Sequence, residues 1–264
     1  MARSTAQRVS ASLEHRSRTK EFLTFVNAIA GREGWSEYEV FTKWLEAASC
    51  ALKNPILRLL RDDKGWDQNE QRYMEIVRSC RHPAETMRDM SNMLGVITLA
   101  LREKPTDFIG PVFMEVAANS HVGQFFTPNG LSEALAGLTL QNARERLYEA
   151  YINEGRTVLA LLEPACGVGG IVLAANQVLR EQGFDLENEI HWTCIDIDWR
   201  ALCGAFIQLE LTGTPATLVE GNSITMEYAA AWPTSALILQ RRNQLHSDGL
   251  GVEYSYTQEG RIPA

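Results

Sequence analysis

The chain has 264 residues, 45% of them hydrophobic and 22% charged. That is enough for one large or two small domains with a sizeable core, and it excludes a disordered or fibrous protein. A net charge of −8 and a pI near 5.3 argue against a protein that coats nucleic acid by overall charge, although a local basic patch can still meet DNA.

No apolar run is long enough to span a bilayer, and the Ser/Arg-rich start carries no apolar signal core. Cys50, Cys80, Cys166, Cys194 and Cys203 are odd in number and not closely paired. They read as reduced thiols in a cytoplasmic protein with no zinc pattern and no membrane partner.

Residues 1–20 carry Arg3, Arg8, Arg16, Arg18 and Lys20 against Glu14 alone. They read as a basic, flexible arm, with phosphate contact as the alternative. Residues 21–120 read as a helical domain. Phe22, Phe25, Val26 and Ile29 repeat at helical spacing. Ser36 with Glu39 forms a capping box. Arg61–Trp66 breaks the pattern, His82-Pro83 stops it again, and Glu85–Leu101 resumes it. Phe22, Phe25, Trp35, Trp44, Trp66 and Tyr73 read as core rather than as base-stacking residues. Lys104–Pro111 is turn-rich, Phe113–Ala118 suits a last short helix, and the domain boundary is expected between Pro105 and Val122.

In Gly123-Gln-Phe-Phe-Thr-Pro128, Thr127 can cap and Pro128 can open a helix running to about Leu138. A further helix is expected to end near Gly155. The apolar run Thr157–Leu162 then closes on Glu163, followed by Pro164-Ala165-Cys166-Gly167-Val168-Gly169-Gly170 and an Ala/Leu-rich segment. This reads as strand, tight glycine loop and helix. The glycines let backbone approach a ligand, and the helix start offers free N–H groups. Cys166 reads as a small loop residue rather than a nucleophile. A second strand, Ile190–Ile195, closes on Asp196 and Asp198, and an acid there can hold ribose hydroxyls. An amphipathic helix over Trp199–Leu211 and a third strand, Ala216–Val219, follow, the strand leading into Glu220-Gly-Asn-Ser223. Ser235–Leu239 is expected to be a fourth strand, and Asp248–Tyr256 a hairpin.

Gly-Gln-Phe-Phe-Thr-Pro, Glu-Pro-Ala-Cys-Gly-Val-Gly-Gly and Ile195-Asp-Ile-Asp198, in that order and over residues 121–225, resemble the N6-adenine DNA methyltransferase family. The modification subunit of type I restriction systems is the nearest match. The resemblance implies an α/β fold: an N-terminal helical domain followed by a shortened Rossmann-like methyltransferase domain over 121–243, with a tail over 244–264. It implies S-adenosylmethionine as cofactor. Phe126 and Thr127 would lie over the methionine part, Glu163, Ala165, Gly167 and Gly169 along it, Asp196 on the ribose and Asn222 at the adenine.

The family's Asn-Pro-Pro-Phe or Asn-Pro-Pro-Tyr motif is expected directly after the fourth strand, where this chain has Gln240-Arg241-Arg242-Asn243. That motif holds the flipped adenine amine for attack, so the catalytic residues stay unassigned here. The residues after Gln240 are too few for the three further strands usual in that fold.

Three readings remain open. One is a methyltransferase, completed by another methyltransferase or specificity chain and acting on DNA. A second is a non-catalytic DNA-binding or regulatory protein that uses the α/β domain as scaffold. The third, a nicotinamide oxidoreductase, needs Gly-x-Gly-x-x-Gly, and Gly167-Val-Gly169-Gly170 departs from that spacing.

Overall fold

The computed structural model describes residues 5–117 and 129–247, and the chain divides into two compact units, residues 1–126 and 127–264. Phe126 and Thr127, the hairpin expected over Asp248–Tyr256 and most of the tail lie outside the described residues.

The first unit is helical: α1 (Thr5–Glu33), α2 (Glu37–Leu59), α3 (Asp63–Ser79), α4 (Pro83–Glu103) and α5 (Ile109–Ala117). Residues 5–20, where the charge pattern suggests a separate arm, belong to α1. Ser36 caps α2 by accepting from the Glu39 N–H at 3.1 Å, as the capping box predicts. Asp62 caps α3, and Pro83 opens α4. Phe22, Phe41, Trp44, Phe108 and Phe113 are buried and meet mostly edge to face. The Trp44 indole N–H is satisfied by the Met90 carbonyl at 3.0 Å. Phe25, Trp35, Trp66 and Tyr73 are only half-buried, with Trp35 under Lys43 and Trp66 under Arg58.

The second unit is mixed α/β. In chain order it holds α6 (Asn129–Thr139), α7 (Ala143–Glu154), β1 (Leu159–Glu163), α8 (Gly170–Glu181), α9 (Leu186–Glu189), β2 (Ile190–Asp196), α10 (Trp199–Leu211), β3 (Ala216–Asn222), β4 (Glu227–Pro233) and α11 (Ser235–Ser247). The sheet order is β1-β2-β3-β4. The first two pairings are parallel, and β4 returns antiparallel to β3. Glu163 and Asp196 therefore end adjacent parallel strands on the same side of the sheet. Leu159, Leu161, Ile190, Trp192, Cys194, Ala216 and Leu218 supply the buried face, with α8 and α10 contributing Val172, Leu173, Phe206 and Leu209 to the core.

Ser235–Leu239 is the start of α11, not a strand. Thr234 begins it: its carbonyl accepts from Ile238 N–H, its hydroxyl oxygen from Leu237 N–H, and Glu210 accepts from Ser235 N–H. A short apolar run fits either period, and here Leu237 and Ile238 pack as one helical face. The fourth strand is instead Glu227–Pro233, whose alanines give little strand signal and which is held by hairpin pairing to β3. Gly221 sits at a bulge in that pairing, where an added Cβ would stand 2.4 Å from the Glu227 carbonyl oxygen.

Candidate functional site

Residues 163–170 form the loop between β1 and α8. Glu163 folds back on this loop, its Oε1 accepting from the Ala165 N–H at 3.3 Å. The Cys166 N–H bonds the Ile195 carbonyl at 2.9 Å, so the loop is hung from β2. The Gly167 N–H donates to Asp196 Oδ2 at 2.7 Å, and the Asp198 N–H donates to Asp196 Oδ1 at 2.9 Å. One carboxylate thus ties the turn after β1 to the turn after β2, with charge-assisted bonds. Asp198 caps α10, accepting from Arg200 N–H at 2.8 Å.

Gly167 and Gly169 have φ of 53° and 88°, left-handed values that other residues rarely adopt. Gly169 is also the N-cap of α8. The first N–H groups of that helix open toward the carboxyl ends of the strands.

Burial raises the pKa of Glu163. The Ala165 bond opposes this, and the neighbouring Asp196 charge adds to it. Among the described residues neither acid has a Lys, Arg or His ion-pair partner. The Cys166 thiol is buried beside Cys194. Its hydrogen bond to Cys194, then burial, hold its pKa well above the usual thiol value.

Two residues that the sequence analysis does not select belong to this site. Gln208 of α10 is fully buried and donates to the Val168 carbonyl at 2.7 Å, pinning the middle of the loop. Its signal is a glutamine on an otherwise apolar helix face. Ile197 lies between Asp196 and Asp198 in the chain and is 72% exposed, an apolar residue directly after the end of β2.

The structure brings Glu163, Ala165, Gly167, Gly169 and Asp196 together. Asn222 ends β3, and its side-chain carbonyl accepts from Ile224 N–H at 2.9 Å and Thr225 N–H at 3.2 Å. Both of that oxygen's lone pairs serve its own turn, so Asn222 is not placed to accept from an amine.

The Gln240–Asn243 segment is elsewhere. The Gln240 side chain is buried and donates to the carbonyls of Glu187 and Ile190, each at 2.8 Å. Ile190 begins β2 and Asp196 ends it, so Gln240 sits about 20 Å from the glycine loop, six strand steps away. It is a strut between α11 and the start of β2. It does not occupy the position of a catalytic motif, because the strand expected to present that motif is a helix.

No protein-family model matches the chain, and no curated protein matches it. Among solved structures, the chain is similar to a protein of Listeria monocytogenes assigned to the class I S-adenosylmethionine-dependent methyltransferases. The TM-score is 0.42 and the identity 15%, over 79% of this chain and 54% of that one. It is also similar to the methyltransferase subunit of a type I restriction-modification system from Streptococcus thermophilus. There the TM-score is 0.36 and the identity 11%, over 83% of this chain and 60% of that one. The chain thus spans less than two thirds of either structure's length.

Proposed function

We propose that the α/β unit binds S-adenosylmethionine and that the chain is the cofactor-holding part of a DNA adenine-N6 methyltransferase. The observation that carries this reading is the arrangement of Glu163 and Asp196. They end adjacent parallel strands, the loop that follows Glu163 donates its Gly167 N–H to Asp196, and neither acid has a cationic partner among the described residues. Two acids kept close without a counter-charge suit a ligand that brings hydroxyls and a positive group.

Asp196 keeps lone pairs for ribose hydroxyls beyond the two it gives to backbone N–H groups. Ile197 offers an apolar surface to a flat base. Glu163 faces the cationic side, and the start of α8 suits a carboxylate. The residues present therefore fit the cofactor. Bound there, it supplies a methyl group on a sulfonium that leaves as a neutral thioether, so the chain need not provide an acid or base at that centre. What this chain does is bind, orient and screen. The Gln208–Val168 and Asp196–Gly167 bonds fix the loop before ligand arrives.

Adenine N6 in DNA is the substrate implied by the motif resemblance. A group to receive the DNA adenine amine is not found at the expected motif position, since the Gln240 side chain is engaged with the Glu187 and Ile190 carbonyls. The chain alone is expected to retain labelled S-adenosylmethionine without forming N6-methyladenine in duplex DNA, measured by mass spectrometry of the digested DNA. Failure to retain the cofactor would refute the binding reading. Methylation of another base would refute the substrate reading.

A further inference from the structure

On the cofactor reading, the base lies beyond Asp196, toward the end of β3. The acceptor expected there, Asn222, spends its oxygen on the Ile224 and Thr225 N–H groups. Its neighbours in the β3–β4 hairpin are tied to one another. The Thr225 hydroxyl donates to Glu227 at 3.0 Å, and the Tyr228 hydroxyl donates to Met226 Sδ at 3.2 Å. On the other side, Asp198 caps α10. Each of these groups serves the turn it belongs to.

Glu220 does not. It is in register with Asp196 across the parallel β2–β3 ladder, so the two side chains leave the same face of the sheet about 5 Å apart. Glu163 leaves that face too, because it is in register with Cys194, two residues before Asp196. Glu220 is half-buried and has no ion-pair partner among the described residues. The bonds that fix the turns go to Asp196 and Asn222 instead.

The hairpin explains why the two β3 residues differ. Pairing with β4 slips between Glu220 and Gly221. A bulge re-aims the side chains around it, and such bulges are common beside active sites. Gly221 has no room for a side chain, because an added Cβ would stand 2.4 Å from the Glu227 carbonyl oxygen. Asn222, beyond the slip, is drawn into its own turn. Glu220, before it, keeps regular register and stays beside Asp196.

We infer that Glu220 accepts a hydrogen bond from the exocyclic amine of the cofactor's base, in place of Asn222. This rests on the cofactor reading. Asp196 then holds the ribose, and Glu220 selects adenine over a purine that lacks the amine. Like charges directly opposite on one sheet face repel, and a ligand that sets a donor before each of them offsets this. Ser223 is the competing acceptor, one residue beyond the end of β3.

The test is a calorimetric titration of the full chain with S-adenosylhomocysteine and with its analogue carrying purine, without the amine, in place of adenine. Wild type should bind the adenine form at least about tenfold more tightly. Glu220→Ala should lose that preference by weakening the adenine form alone. Glu220→Gln keeps an acceptor oxygen and should restore part of it. Asn222→Asp and Ser223→Ala should leave the preference as it is. In every variant the Gly167 amide should exchange at its wild-type rate, which separates a lost contact from a damaged site.

Equal binding of both forms by wild type overturns the role of Glu220 and leaves the cofactor reading standing. A preference that survives in Glu220→Ala, or that Ser223→Ala removes, does the same. If wild type binds neither form, the role of Glu220 falls together with the cofactor reading.

Discussion

Replacing Asp196 with alanine removes a carboxylate that ties the turn after β1 to the turn after β2. The carboxylate accepts from Gly167 N–H at 2.7 Å and Asp198 N–H at 2.9 Å. A hydrogen bond to a charged group contributes about 1.5–3 kcal/mol, but Asp196 is only half-buried and water can replace part of what is lost. The low end of the range applies, giving about 2–3 kcal/mol for the pair. For a domain of this size that lowers the Tm by roughly 5–10 °C. The chain has two compact units, so a single melting curve mixes them, and amide exchange is the cleaner assay. The Gly167 and Asp198 amides should exchange at least about tenfold faster in Asp196→Ala, while amides of α2 and α4 keep their wild-type rates. Asp196→Asn retains one acceptor oxygen and should lose about half as much stability. If the Gly167 amide exchanges at the same rate in Asp196→Ala as in wild type, Asp196 does not hold the loop, and the description of a built site fails.

Glu163 has its pKa raised by burial and then by Asp196, so its ionised form is disfavoured in the fold. The stability this group contributes is present at acid pH and lost as pH rises through its folded pKa. Glu163→Gln should therefore be more stable than wild type near neutrality and equal to it in acid, while binding the cofactor more weakly; thermal melts across pH check the first point. His191 shows the opposite dependence. Burial, then Arg241, lowers its pKa to about 4, against 6.5 when unfolded. Stability should fall by up to about 3 kcal/mol as pH drops from 6.5 through 4, and urea unfolding of His191→Gln should show a flatter profile. Gly221→Ala drives a methyl against the Glu227 carbonyl and should cost about 1–3 kcal/mol in urea unfolding, with disrupted β3–β4 pairing. Gln240→Ala strands the Glu187 and Ile190 carbonyls and should cost about 1–3 kcal/mol, yet leave cofactor affinity unchanged because it lies at the far end of β2. A loss of affinity there would restore the Gln240 segment to the active site.

What was legible in the sequence was local. The Ser36–Glu39 capping box, the break at His82-Pro83, the helix end near Gly155 and the strand–glycine loop–helix unit all depend on a few consecutive residues. The acids ending β1 and β2 could be read because each closes an apolar run. What could not be read depends on distant partners. Ser235–Leu239 fits two periods, and the choice is made by Thr234, Glu210 and the packing of Leu237 and Ile238. The alanines of β4 form a strand only because β3 pairs with them. Gln208 and Gln240 look like ordinary helix residues until the carbonyls they satisfy, at Val168 and at Glu187 and Ile190, come within reach. Asn222 was legible as a polar residue after a strand, but its role was not, because its acceptor closes a turn two and three residues ahead.

The central claim is that Glu163, the glycine loop and Asp196 form a site for S-adenosylmethionine. The most direct measurement is a calorimetric titration of the cofactor into wild type, Glu163→Gln and Asp196→Ala. The account predicts one site per chain in wild type, weakened at least about tenfold in Glu163→Gln and abolished in Asp196→Ala. No heat at millimolar cofactor, or heat that neither substitution changes, would contradict it.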